Sequence, residues 1–366
     1  MTPAAAYVAW GASSFHRCGL DTAGGGALLS WPMKTNAYLP ILFSAALLGT
    51  AHAQFVTVGD PGNPNDQDYG PGAFGAVATT YAIGTYEVTL NQYAAFLNAK
   101  AAADPFDLYN PAMGTYLNTA GISRTGSSGS YVYGVIGTGT RPVTYVSFYD
   151  AMRYANWLGN GGGSGDTETG AYTLLGGTPV PSNGLTVTRN GGATVWVPSE
   201  NEWYKAAYYQ PFAAGGDVDG YWLLPTRTNT LPVSNSPGAG TNRGNFYDGD
   251  FAVTQSGSYS GTQNYLTPVG AYTDSESYYG TYDQGGNATE WNDTIIDGSS
   301  RGRRGGSWRY YEPDMRASAQ YGGLVPHNED DDIGFRIATV PEPTVSVSLL
   351  LAGGLLIARW KRPSAL

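Results

Sequence analysis

The chain has 366 residues, 29 acids against 19 Lys and Arg for a formal net charge of -10, and is rich in Gly (52) and Tyr (28). So acidic a chain lacks the basic stripe that phosphate contacts require, which argues against nucleic acid as a partner. Its single cysteine, Cys18, stands near the start, so no disulfide can form within the chain.

In chain order, residues 1–32 precede a second methionine, Met33, and are either a misassigned start or an extended leader. Residues 33–53 give a basic start at Lys34, an apolar stretch from Leu39 to Leu48 and a small-x-small ending at Ala51-His52-Ala53. That order predicts a secretory signal peptide cleaved after Ala53. Cleavage leaves residues 54–340 with 14 bases against 27 acids and without a thiol.

Residues 54–75 are rich in Gly, Pro and Asp and read as an irregular lead-in to a domain over 76–340. Alternation in AVATTYAIGTYEVT predicts a strand pair ending at Val88. Thr89 then caps a helix with Tyr93, Phe96 and Leu97 on its apolar face. Ser147 caps a second, whose buried stripe is Ala151, Tyr154, Ala155 and Leu158 and which Gly159 ends. The third opens on a capping box, Ser199 with Glu202, and turns Trp203, Ala206 and Ala207 inward. From Gln210 to Arg301 the chain reads as turns and short strands, and no repeat of 20 to 50 residues is present. The whole predicts a loop-rich α+β domain.

Residues 341–366 place Pro-Glu-Pro before an apolar run from Val345 to Ala358 and then Arg359, Lys361 and Arg362. The run is short of the ~20 apolar residues that cross a bilayer comfortably. It reads either as a lone membrane anchor or as a sorting tail. The tripartite order resembles the PEP-CTERM sorting signal of Gram-negative bacteria, which implies membrane contact through this segment, an exosortase-type protease as partner, and delivery to the cell envelope, surface or extracellular matrix.

Five stretches appear in a fixed order: YEVTLNQYAAFLNA (86–99), PVTYVSFYDAMRYANWLG (142–159), VPSENEWYKAAYY (197–209), DQGGNATEW (283–291), and RGGSW (304–308) with GFRIA (334–338). Together they resemble the formylglycine-generating enzyme, or sulfatase-modifying factor, family. The resemblance implies a C-type-lectin-like α+β fold with about three helices, supported by calcium. It also implies two copper-binding cysteines just after the Gly-Gly-Ser-Trp motif, where Tyr310 stands in the first position and the second has no counterpart. Copper(I) requires soft sulfur ligands, so copper and formylglycine chemistry are not expected.

Calcium suits the remaining donors better, since it takes carboxylate and carbonyl oxygens. Matched residue by residue, the resemblance implies Asp283 and Glu290 as side-chain ligands and Gly286 and Ala288 as carbonyl donors; otherwise the two acids cap a turn. It implies a second site at Asn245 and the carbonyl of Phe246, without the expected downstream acid. Ser307 corresponds to an active-site serine of the family. His327 is the only histidine after the signal, so iron and serine chemistry both lack imidazoles. Arg301, Arg303 and Arg304 either bind carboxylate or sulfate or serve solubility, and the acids 329–332 read as a solvated run. Trp308 and Tyr310, with Tyr311, offer an aromatic platform unless Trp308 is core. The functional expectation is an exported, non-catalytic module binding a glycan or protein through Arg304, Ser307, Trp308 and Tyr310; the alternative is a divergent protein-modifying oxidoreductase on the same scaffold.

Overall fold

The computed structural model describes residues 54–69, 74–319 and 323–341. The leader, the signal segment, residues 70–73 of the lead-in and the tail from residue 342 lie outside the described residues, and with them the export, sorting and membrane expectations. Among the described residues, no helix is long and apolar enough to cross a membrane.

Thr89, Ser147 and Ser199 begin the three long helices as their spacing predicts. In each, the hydroxyl accepts the backbone N–H three residues on, while the side chain of Gln92, Asp150 or Glu202 reaches back to the cap amide. These helices are α1 (Leu90–Lys100), α3 (Phe148–Gly159) and α4 (Glu200–Tyr208); a single turn, α2 (Ala112–Thr115), was not legible in the sequence. Tyr93, Phe96 and Leu97 are buried as expected. Helix α3 is buried on nearly every side from Phe148 to Trp157, and Leu158 at the edge of its predicted stripe is only half-buried.

The strands are short: β1 (Phe55–Val58), β2 (Tyr81–Gly84), β3 (Ile122–Thr125), β4 (Val132–Val135), β5 (Val195–Trp196), β6 (Val233–Ser234), β7 (Arg243–Gly244), β8 (Thr289–Ile295), β9 (Arg301–Arg304), β10 (Ile333–Phe335) and β11 (Ala338–Thr339). The lead-in is therefore not irregular throughout, because β1 pairs antiparallel with β2 in a four-stranded sheet of order β1-β2-β11-β5. A three-stranded sheet of order β10-β8-β9 sets Glu290 opposite Arg304 on one side and Gly334 on the other. Two small pairs, β3-β4 and β6-β7, complete the described sheets.

Short elements leave many backbone carbonyls outside any ladder, and buried carbonyls need donors. Tyrosine supplies them: Tyr93 Oη donates to Leu108 O at 2.8 Å and Tyr208 Oη to Met315 O at 2.9 Å, while their rings fill the core. Buried arginines do the same. Arg301, 1 % exposed, donates to the carbonyls of Asp293, Val187 and Gly184, so it is a loop tether, not a surface cation.

Candidate functional site

Residues 283–290 form a turn leading into β8, built on three left-handed backbones: Asp283 (φ 59), Gly286 (φ 96) and Asn287 (φ 62). Gly286 is required twice over, since a Cβ there would also press on the carbonyl of Asn245. Gly286→Ala is expected to cost about 1–3 kcal/mol, read as a lowered denaturant midpoint with unchanged slope.

Beyond the turn, Glu290 is fully buried. Arg336 grips it bidentately, Nε to Oε2 at 2.5 Å and Nη2 to Oε1 at 2.6 Å, and Trp203 Nε1 donates to Oε2 at 2.7 Å. Asp283 accepts from Gly270 N at 2.6 Å, and burial pushes its carboxyl up to about 6. Glu87 is held by Asn287 Nδ2 at 3.2 Å on Oε1, while Oε2 is buried without a partner. Burial first, then Asp283 and Glu290, raise Glu87 well above the usual carboxylate range.

Of the expected calcium ligands, Glu290 already accepts from Arg336 and Trp203, and the guanidinium supplies positive charge beside Asp283. At the other expected position, Asn245 is 2 % exposed with Nδ2 on Tyr265 O and Asn287 Oδ1, and the Phe246 carbonyl accepts Ser234 Oγ at 2.5 Å. Gly286 and Ala288 lie in the same turn, and Ala288 is buried.

The 301–311 wall divides in two. Arg304 faces inward, 2 % exposed, paired with Glu200 and donating to Ala319 O at 2.8 Å; it is not available to an outside ligand, because the register of β9 against β8 turns it into the core. After it, Gly305 (φ 106) and Gly306 (φ 68) reverse the chain and deliver Ser307 to Asp332, Oγ to Oδ2 at 2.7 Å. Ser307 is fully buried and Trp308 is 2 % exposed, whereas Arg309 and Tyr311 lie at the surface and Tyr310 is half-buried. The acidic run is likewise not simply solvated. Asp331 and Asp332 are 3 % and 1 % exposed, since Asp331 pairs with Arg309 and Asp332 receives Ser307; burial pushes Asp331 up to about 6. Asp330, Asp331 and Asp332 are the three-acid group among the described residues close enough to share a cation, though Arg309 already sits on it. His327 is exposed.

Above this floor opens a cavity of about 280 Å³ lined by Tyr116, Tyr247, Phe251, Tyr259, Trp308 and Tyr311, with Arg309. Trp308, Tyr265 and Tyr259 form a continuous parallel stack, with centroids 4.8 Å apart at 4° and then 5.7 Å apart at 14°. Tyr247 meets Tyr311 edge-on at 5.1 Å. Tyr259 Oη donates to Asn118 Oδ1 at 2.5 Å, so the 2.9 Å bond between the hydroxyls of Tyr116 and Tyr259 has Tyr116 as donor. The sequence pointed to Trp308 and Tyr311, and also to Tyr310, which is not among the lining residues; it missed Tyr116, Tyr247, Phe251 and Tyr259. They come from three other segments, and the tyrosine density of 247–265 was the one local hint.

Chemically, the face offers hydroxyls, phenols, a guanidinium and carboxylates. Copper does not fit it: the region holds no cysteine, and hard oxygen and nitrogen donors do not replace thiolates for copper(I). Ser307 is buried against a carboxylate, while His327, the one imidazole among the described residues, is exposed, which leaves Ser307 without a base of the usual kind.

Residues 55–340 match the family described as the sulfatase-modifying factor enzyme 1-like domain, FGE-sulfatase, and the chain belongs to that family. No curated protein matches it. Among solved structures it is similar to Treponema denticola variable protein 1, at 21 % identity over 78 % of this chain and 95 % of that one, TM-score 0.48. It is also similar to CarF, at 21 % identity over 79 % and 99 %, TM-score 0.49, and to PvdO from Pseudomonas aeruginosa, at 19 % identity over 79 % and 92 %, TM-score 0.42. The loop-rich α+β class expected from the sequence is the one found.

Proposed function

We propose that this chain is an exported, non-catalytic member of its family, a surface module that binds a glycan or a protein on the face around residues 307–311. The observation that carries this reading is what stands after the Gly-Gly-Ser-Trp motif. In place of a thiol pair there is an ion-paired and aromatic face, Arg309 on Asp331 and the rings of Trp308 and Tyr311 around an open cavity, with the Ser307–Asp332 bond buried beneath it. Such a surface has donors, acceptors and apolar faces for recognition, and no soft ligand for a redox metal. The signal and the Pro-Glu-Pro tail support the cell envelope or matrix of a Gram-negative bacterium as its place of work.

The test is direct. The purified full chain is incubated with copper(I), and aldehyde formation is followed by mass spectrometry on a cysteine-containing sulfatase peptide. The expected results are no stoichiometric copper retained after desalting and no aldehyde. Retained copper together with aldehyde would return the chain to the catalytic members of the family.

A further inference from the structure

We propose that the aromatic cavity is a subsite for one uncharged pyranose ring, a neutral hexose unit of a surface polysaccharide. This assigns a ligand to the face around residues 307–311 and rests on the non-catalytic reading of that face.

Size argues first. At about 280 Å³ the cavity lies at the low end of the range for small-molecule sites, with room for one ring system and not for an extended peptide segment. Its walls argue next. Tyr259 and Tyr311, 53 % and 57 % exposed, are large aromatic rings left at the surface of a chain that buries most of its others. Exposed apolar rings gathered around one concavity mark a binding place. Tyr259 is also fixed in advance, stacked on Tyr265 and tied through its hydroxyl to Asn118, whose Nδ2 is anchored on Ser260 O and Gln263 O at 2.7 and 2.8 Å. A platform held in this way loses little conformational freedom on binding.

The rim distinguishes a sugar from a simple apolar ring. The lining carries the Arg309 guanidinium, a donor, and the linked hydroxyls of Tyr116 and Tyr259, whose oxygens still accept. A pyranose presents a C–H face for the rings and an equatorial belt of hydroxyls that both donate and accept, so the two surfaces are complementary.

Charge selects among sugars. Arg309 is the charged residue of the lining, and Asp331 already neutralises it, with Asp330 4.0 Å away and Asp332 behind. A uronate or sulfate would find a cation already paired and a field set by three acids and by the excess of 27 acids over 14 bases in residues 54–340.

The experiment is calorimetric titration of the full chain with neutral hexose oligosaccharides (glucan, mannan and galactan series) and with alginate oligomers as the polyuronate control. Binding is expected in a neutral series and not to alginate. Tyr259→Ala and Tyr311→Ala are each expected to weaken it roughly 3- to 10-fold, and Tyr259→Phe by less. Both rings are half or more exposed, so circular dichroism should match the parent chain; Tyr311→Ala should also melt with it, while Tyr259→Ala gives up the Asn118 bond and the Tyr265 stack and lowers Tm. Alginate binding, neutral binding indifferent to both tyrosines, or no binding in any series overturns the pyranose inference. In none of these cases does the non-catalytic reading fall with it, because that reading fails on copper retention and aldehyde formation instead. Capture of a surface protein blocked by Tyr311→Ala, with no sugar bound, would assign the cavity to a protein partner and also overturn the inference.

Discussion

Replacing Arg336 by methionine is expected to destabilise the domain by about 3–5 kcal/mol, a fall in Tm on the order of 10 °C. The guanidinium is fully buried, and it is the cation facing Glu290, Asp283 and Glu87, three carboxylates gathered at the base of the 283–290 turn. It also donates to the carbonyls of Gly84 and Tyr282, both at 2.9 Å, so its loss leaves acceptors as well as charges unmatched. A buried pair broken on one side costs more than a pair removed whole. Glu290→Gln with Arg336→Met together should therefore cost less than the sum of the two single changes, a coupling read by a double-mutant cycle.

The same variants decide what holds the turn. A calcium ion on Glu290 would make Glu290→Gln harmful in calcium and harmless in chelator. The ion pair and the Trp203 bond predict an equal loss in both, because neither depends on a divalent cation. Melting curves in calcium and in EGTA separate the two. A loss confined to calcium would mean that Arg336 gives way to the ion.

What could be read from the sequence follows from the range of each interaction. Capping boxes at Thr89, Ser147 and Ser199 are completed within three residues, so the helices were legible. The pairing of β1 with β2 was not, because twenty-two residues of Gly- and Pro-rich chain separate Val58 from Tyr81. The site divides along the same line. The left-handed turn at Gly286 and the reversal at Gly305-Gly306 show in the motifs, while the partners that set the chemistry lie far off in sequence: Ser307 with Asp332, Glu290 with Arg336, Tyr259 with Asn118. Asp331 and Asp332 misled for the same reason. A run of acids looks solvated until the fold brings Arg309 and Ser307 to it.

Stability is expected to rise as pH falls from 8 to 5, the reverse of ordinary acid denaturation. Burial pushes several carboxyls upward: Glu329 to about 8, and Asp150, Asp283, Asp293 and Asp331 to about 6. Each has a folded-state value above its unfolded value near 4, so between those values the folded chain holds more protons than the unfolded one. Stability is then fully present at low pH and is lost as pH rises through the folded values, between about 4 and 8. The excess of acids in the domain acts in the same direction, since repulsion among them relaxes on protonation. Lys205, buried against Gly59 O and Asp60 O and lowered to about 8 by burial, works the other way only above that pH. A carboxyl whose folded and unfolded values lie a single pH unit apart already contributes about 1.4 kcal/mol, or roughly 3–6 °C in Tm. Glu329 carries the upper part of the window. It accepts from Asn110 Nδ2 and faces Asp150, Asp107 and Asp104, so its ionisation sets like charges against one another across the 104–110 and 326–332 loops. Glu329→Gln should flatten the Tm profile between pH 6 and 8 and leave the slope below pH 6 in place. A parent profile that is flat or rises from pH 5 to 8 would show that these carboxyls stay ionised in the folded chain, and that Arg309, Arg189 and Arg336 outweigh their burial.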